Sequence, residues 1–297
     1  MKNKVMTYER PRRFEKYELS FHPYEIATAL FSFGDVLEIV GKEDSERKSI
    51  DERRGLILVD TIGHVEDSGK SMKAFLQKII AEGWGSKENA ATEMWNLGLM
   101  LRGMWQTQEG VLIPLGVVDK KEYSSDRLDL IDEWYYHAAS QFVQFYGETI
   151  DIVNADMPFP YILRESGELE RLSFTWRRID EPVSDINPAL IVIVDEQIIK
   201  LKRPDESYPI TLEPEEVLFL RSDGVDDGIL HRSPRYHGKH SHLDDVYMDD
   251  LFNFFKRNKH KSSVEIRDSF ISEFGEYFIP KDPRHDDATF AIIKRSD

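Results

Sequence analysis

Four aspartates stand where apolar runs begin or end. Asp35 precedes VLEIV, Asp60 ends LILV, Asp223 follows VLFLRS, and Asp286, with Asp287 beside it, precedes ATFAII. Carboxylates at the ends of neighbouring strands can meet on one rim, where they repel one another and hold their protons unless a cation neutralises them. The 297-residue chain contains no cysteine, so any metal must be held by oxygen or imidazole. An oxygen donor set favours hard ions such as Mg²⁺ or Mn²⁺. Two such ions acidify bound water and stabilise charge on attacking and leaving oxygens, which is the chemistry of phosphate-ester hydrolysis. Each aspartate alone is an ordinary turn residue, and Asp223-Gly224 reads equally as a hairpin turn. Their joint placement at strand ends is what points to a shared site.

The elements that must position them follow from periodicity. Val36–Val40 and Gly55–Asp60 read as strands joined by the charged loop GKEDSERKSIDERR. Apolar residues recur at helical spacing over 71–82 (Met72, Phe75, Leu76, Ile79, Ile80) and again over 90–105 (Met94, Leu97, Met100, Leu101). A β-rich half follows, with Ser166-Gly167 as a turn signal, then two helices over 246–258 and 263–277 and a final strand, ATFAIIKR. This order predicts an α+β fold, a layered α/β-β/α sandwich of antiparallel sheets flanked by helices. Residues 1–30 read as an N-terminal extension packed on a domain spanning 31–297. The stretch 84–135 carries no recognisable motif.

Composition narrows the function classes. Lysine and arginine total 39 against 55 acidic residues, a net charge of −16 that repels nucleic-acid phosphate and anionic lipid. No apolar run approaches the ~20 residues of a membrane span, and the charged N-terminus lacks a signal-peptide core. Neither nucleic acid nor membrane is expected as a partner, and a cytoplasmic location is expected.

Five segments, in order, carry a resemblance. FGD (Phe33 to Asp35), DTIGHV (Asp60 to Val65), NADMP (Asn154 to Pro158), LEPEEVLFLRSDGVDDG (Leu212 to Gly228) and DDAT (Asp286 to Thr289) resemble the motif series of the SpoIIE-type branch of metal-dependent type-2C protein serine/threonine phosphatases. That series runs Gly-Gly-Asp, Asp-x-Ser-Gly-His-Gly, Asn-Ala-Gly-His-Pro, Thr-Asp-Gly-Val and Asp-Asp-x-Thr. The resemblance implies two Mn²⁺ or Mg²⁺ ions, with Asp60 bridging both and the carbonyl of Thr61 binding one. Asp35, Asp223 and Asp286 would complete the shells directly or through water, with Asp287 a neighbour. It also implies hydrolysis of phosphoserine or phosphothreonine on a protein substrate in bacterial partner-switching signalling, with an anti-sigma-factor antagonist as the substrate class.

The chain departs from the series at Phe33 and Val65, each in place of a Gly, and in NADMP, which lacks the Gly-His pair. These departures support an alternative, a catalytically impaired pseudophosphatase serving as a binding or scaffold module. Three other features have plainer readings. GHVEDSGKS resembles a phosphate-binding loop but has five residues, not four, between Gly63 and Gly69. His64 reads as structural rather than as a general acid. The segment HRSPRYHGKHSH, with His231, His237, His240 and His242, reads as a surface loop rather than a zinc site.

Overall fold

A computed structural model describes residues 13–32, 34–41, 53–61, 66–94, 97, 104–106, 112–114, 138–155, 157–172, 193–194, 197–198, 208–232, 243–278 and 286–296. Residues 42–52, 62–65, most of 95–137 and 233–242 lie outside it, as do Phe33, His64, Val65, His237, His240 and His242.

Two antiparallel sheets form the centre. The first has six strands, in the order β1 (Arg13–Phe21), β2 (Tyr24–Ser32), β15 (Ala288–Arg295), β14 (Val217–Arg221), β9 (Tyr161–Leu163) and β10 (Leu169–Arg171). The second has five, in the order β13 (Tyr208–Ile210), β8 (Thr149–Ala155), β7 (Ala138–Tyr146), β4 (Arg54–Thr61) and β3 (Val36–Val40). Two short hairpins, β5 (Met104–Gln106) with β6 (Leu112–Pro114) and β11 (Ile193–Val194) with β12 (Gln197–Ile198), stand apart from both sheets.

The continuous apolar runs arise because the central strands are buried on both faces, while side chains still alternate with period two. In β4, Leu56 and Leu58 join the core between the sheets, whereas Ile57 and Val59 face the other way. In β14, Leu218 and Leu220 point inward and Val217 and Phe219 outward; in β15, Ala291 and Ile293 point inward and Phe290 and Ile292 outward. Helix α1 (Glu66–Ala81) places Phe75, Leu76 and Ile79 on the outer face of the second sheet, joined by Trp84, Ala90 and Met94. Trp84 stacks 5.0 Å from Phe142, and Gln144 Nε2 donates to the carbonyls of Gly85 and Glu88 at 2.9 and 2.8 Å. The start of the motif-free stretch 84–135, through Trp84, Ala90, Met94 and Leu97, therefore contributes to the cover of the second sheet.

Helices α2 (Asp223–Arg232), α3 (Leu243–Asn258) and α4 (Ser263–Phe278) cover the first sheet. Helix α4 begins with a capping box: Ser262 Oγ accepts from Glu265 N at 3.3 Å, and Glu265 Oε2 accepts from Ser262 N at 3.0 Å. Its Ile266, Phe270, Phe274 and Phe278 recur every fourth residue and form the buried stripe. The result is helix, sheet, sheet, helix, the sandwich that the order of elements predicts.

The expected boundary at residue 30 falls inside β2, which pairs with β15 through Ala288↔Phe31 to Arg295↔Tyr24. The described part of the first thirty residues is thus two strands of the first sheet, a correction to its reading as a packed extension. β1 hides in the sequence because it is an edge strand with one wet face: Phe14, Lys16, Glu18 and Ser20 are exposed, and the charges protect the open edge. In the β9–β10 hairpin the Ser166-Gly167 turn is as expected, with Gly167 at φ 84° and its N–H donating to Arg164 O at 2.9 Å. Gly167→Ala is expected to destabilise the fold by about 1–2 kcal/mol, because a Cβ is strained in that conformation. A urea unfolding midpoint unchanged from wild type would contradict this.

Among the described residues no helix is long and apolar enough to cross a membrane.

Candidate metal centre

One end of the sandwich gathers the aspartates from both sheets. Asp60 is the penultimate residue of β4, on the same parity as Leu56 and Leu58, so it belongs to the face between the sheets. Asp223 follows β14 by two residues, and Asp286 stands two residues before β15. Carboxylate oxygens of Asp60, Asp223 and Asp286 lie within 4.8 Å of one another. An ion at this point would tie the second sheet, through Asp60, to the first, through Asp223 and Asp286.

Asp35 is not part of this close group, although its charge acts on Asp60. It leads into β3, is 4% exposed, and its Oδ2 accepts from Thr289 Oγ1 at 2.8 Å. Its neighbour Gly34 donates N–H to Asp287 Oδ2 at 2.6 Å. These two bonds cross from the edge of the second sheet to β15 of the first, so Asp35 and Asp287 staple the sheets beside the triad. Ser222 completes the floor: its N–H donates to Thr289 O at 2.8 Å and its Oγ accepts from Thr289 N at 2.9 Å. Thr61 closes β4, paired with Ala138.

Helix α2 begins at Asp223, so Asp223-Gly224 is a strand-to-helix junction and the hairpin reading is corrected. A Cβ on Gly224 would lie 1.7 Å from the carbonyl oxygen of Asp287. That oxygen occupies the space a side chain would need, which is why glycine follows the aspartate. Asn154, from NADMP, is spent on the turn after β8: its Nδ2 donates to Met157 O at 2.8 Å, and its Oδ1 accepts from Gln141 Nε2 at 3.3 Å.

Burial and the clustered charges raise the pKa values of Asp60, Asp35 and Asp223. Burial holds the Asp60 carboxyl well above the usual range, and the charges of Asp35, Asp223 and Asp286 push it further. Burial, then the charge of Asp287, raises Asp35 to about 8, against the bonds from Thr289 and Ser222 that lower it. Asp223, the most exposed of the triad, is raised to about 6 by burial and then by Asp286. The donor set is all oxygen and anionic, and it fits a hard divalent cation.

A pH dependence follows. The folded carboxyls bind protons more tightly than unfolded ones, which titrate near pH ~4. The metal-free protein therefore loses stability as pH rises from about 4 to about 8, the folded value for Asp35. Below that window both states are protonated and the penalty vanishes. Thermal melts with EDTA and with Mn²⁺ should diverge from pH 5 to pH 8, and Asp35→Asn should flatten the metal-free decline. Parallel curves would contradict the clustering.

Sequence reasoning found the carboxylates but missed the hydroxyl groups beside them, Ser222 and Thr289, and the ion pair of Arg221 with Asp226 that flanks Asp223. Arg221, at the end of an apolar run and five residues before Asp226, was the available signal. His231 belongs to α2, not to a loop.

Comparison with known proteins agrees with this fold. No curated protein matches the sequence. Among solved structures, RsbX in complex with magnesium superposes with a TM-score of 0.52 at 10% identity, covering 95% of this chain and 100% of that one. The SiaA-PP2C domain of Pseudomonas aeruginosa gives a TM-score of 0.53 at 14% identity, over 92% and 86% of the two chains. At these identities the likeness is one of fold. The family model described as Stage II sporulation protein E (SpoIIE) matches residues 76–296, most of the chain, and the protein belongs to the SpoIIE family of type-2C metal-dependent phosphatases.

Proposed function

We propose that the protein hydrolyses phosphoserine or phosphothreonine on a protein partner, using two Mn²⁺ or Mg²⁺ ions. What carries the reading is the convergence of Asp60, Asp223 and Asp286 from both sheets in a chain of the SpoIIE family. In this reading the ions would be held by the Asp60 carboxylate and the Thr61 backbone carbonyl, with Asp35, Asp223 and Asp286 contributing directly or through water. Bound ions would supply a water acidified toward neutral pH and neutralise the phosphoryl oxygens.

The chain's own groups keep these donors in place. Thr289 holds the Asp35 carboxylate, Gly34 N–H holds Asp287, and Ser222 ties the Asp223 turn to β15. The proposed substrate class is an anti-sigma-factor antagonist in partner switching, and the phosphatase domain includes the strands from Arg13 onward. Manganese-dependent hydrolysis of p-nitrophenyl phosphate and of a phosphoserine peptide is the expected result, abolished by EDTA and restored by Mn²⁺. The departures at Phe33, Val65 and NADMP favour a second reading, a binding module. Mn²⁺ binding without turnover on either substrate would select it.

A further inference from the structure

We propose that Arg221, Asp226 and Tyr247 are positioning residues for the carboxylate triad, clamping from behind the strand-to-helix turn that carries Asp223. The proposal rests on the triad being a metal site, as set out above.

Arg221 is the last residue of β14 and is 2% exposed. Its Nε and Nη2 donate to the two oxygens of Asp226 at 2.5 and 2.8 Å. Its Nη1 donates to Phe159 O at 2.8 Å, and its guanidinium lies 4.5 Å from the Tyr161 ring centroid. Tyr247, from α3, donates its hydroxyl to Asp226 Oδ1. Burial, with the adjacent Asp226 charge, holds the Tyr247 phenol well above its ordinary range, so it remains a donor.

These groups stand on the opposite face from the metal carboxylates. In β14, Leu218 and Leu220 face the inter-sheet core; Phe219 faces the helices, and Arg221 follows its parity. Arg221 therefore acts on Asp223 through the backbone. The segment from 221 to 226 leaves the strand and enters α2, with Asp223 between the two ends of the ion pair. On the site side this turn is latched by Ser222 to Thr289 and pressed by Gly224 against the Asp287 carbonyl. On the helix side the bidentate pair fixes both the distance and the rotation of the first turn of α2, as planar guanidinium–carboxylate pairing does. An ion pair withdrawn from water, with Arg221 buried and Asp226 partly so, adds little stability over apolar residues of similar volume, so geometry is the more fitting account of its presence. Tyr247 extends the clamp to α3, which makes the placement of Asp223 depend on how α3 packs.

The test is Mn²⁺ affinity by calorimetry, with the melting temperature of metal-free protein measured alongside. The double variant Arg221→Met/Asp226→Leu removes both charges together and keeps an apolar filling. It should weaken Mn²⁺ binding by roughly 10- to 100-fold, the usual loss when groups that orient metal ligands are removed. Tyr247→Phe, which keeps the ring, should show a smaller loss, and Arg221→Lys should recover only part of the affinity. Arg267→Met is the comparator: Arg267 is also 2% exposed and ion-paired, to Glu18 and Asp268, but ties α4 to β1. It should lower the melting temperature and leave Mn²⁺ affinity unchanged.

Wild-type affinity in both the double variant and Tyr247→Phe overturns the proposal, as does an equal loss in Arg267→Met. Should the double variant not fold, Tyr247→Phe decides alone. A wild-type protein that binds no Mn²⁺ removes the metal site and this proposal together. One that binds Mn²⁺ but hydrolyses nothing removes only the phosphatase reading, and the affinities still decide the clamp.

Discussion

Asp60→Asn is expected to lower metal-dependent phosphatase activity by roughly 100- to 1,000-fold, the effect of losing several kcal/mol of metal-derived stabilisation of the transition state. Mn²⁺ affinity should fall with it. The metal-free variant should melt no lower than wild type at pH 8, and higher if repulsion dominates. Asp60 faces Asp35, Asp223 and Asp286, and each of those charges, after burial itself, raises its pKa. Replacing its carboxylate by an amide of the same shape takes one negative charge out of the cluster, so the substitution that disables the site relaxes the metal-free fold. The opposing directions of the two readouts make the prediction specific: a residue needed only for packing would lose stability and activity together. Wild-type turnover in Asp60→Asn, or a large drop in its metal-free melting temperature, would remove Asp60 from the metal centre.

Gly224→Ala should be the most damaging small substitution in the site. The added Cβ would meet the Asp287 carbonyl oxygen at 1.7 Å and its carbon at 2.6 Å, both backbone atoms that cannot swing aside. The φ of Gly224 is outside the left-handed region, so what the position requires is space rather than conformational freedom. To admit the methyl, the start of α2 must separate from the segment entering β15, and that moves Asp223 away from Asp286. Overpacking of this kind costs about 3 kcal/mol. Denaturant titration should show that loss, and calorimetry a parallel loss of Mn²⁺ affinity in the protein that remains folded. Gly224→Ala with wild-type stability and Mn²⁺ binding would mean that the two segments do not meet as described.

How much of this could be read before folding differs from element to element. LILV, VLFL and FAII announce strands because both faces of each are covered, so no polar residue interrupts the run. β1 was missed for the converse reason. As an edge strand it carries Lys16 and Glu18 on a wet face, and its Leu19 and Phe21 are too few to signal a strand alone. Asp223-Gly224 was ambiguous locally, since the same dipeptide serves a hairpin or a helix start. The Asp287 carbonyl, more than sixty residues away in the chain, decides which.

The sequence by itself determined the chemistry on offer: oxygen donors without thiolate, aspartates at the ends of apolar runs, and an order of motifs that resembles one phosphatase family. It also determined the layers, because period-two and period-3.6 patterns depend only on near neighbours. Only the tertiary structure decided which carboxylates meet. It placed Asp60, Asp223 and Asp286 together, bonded Asp35 to Thr289, and paired Arg221 with Asp226 around the Asp223 turn. Those relations join residues far apart in the chain, across two sheets, and the mutual repulsion that suits them to a cation exists only once folding has brought the charges to one rim.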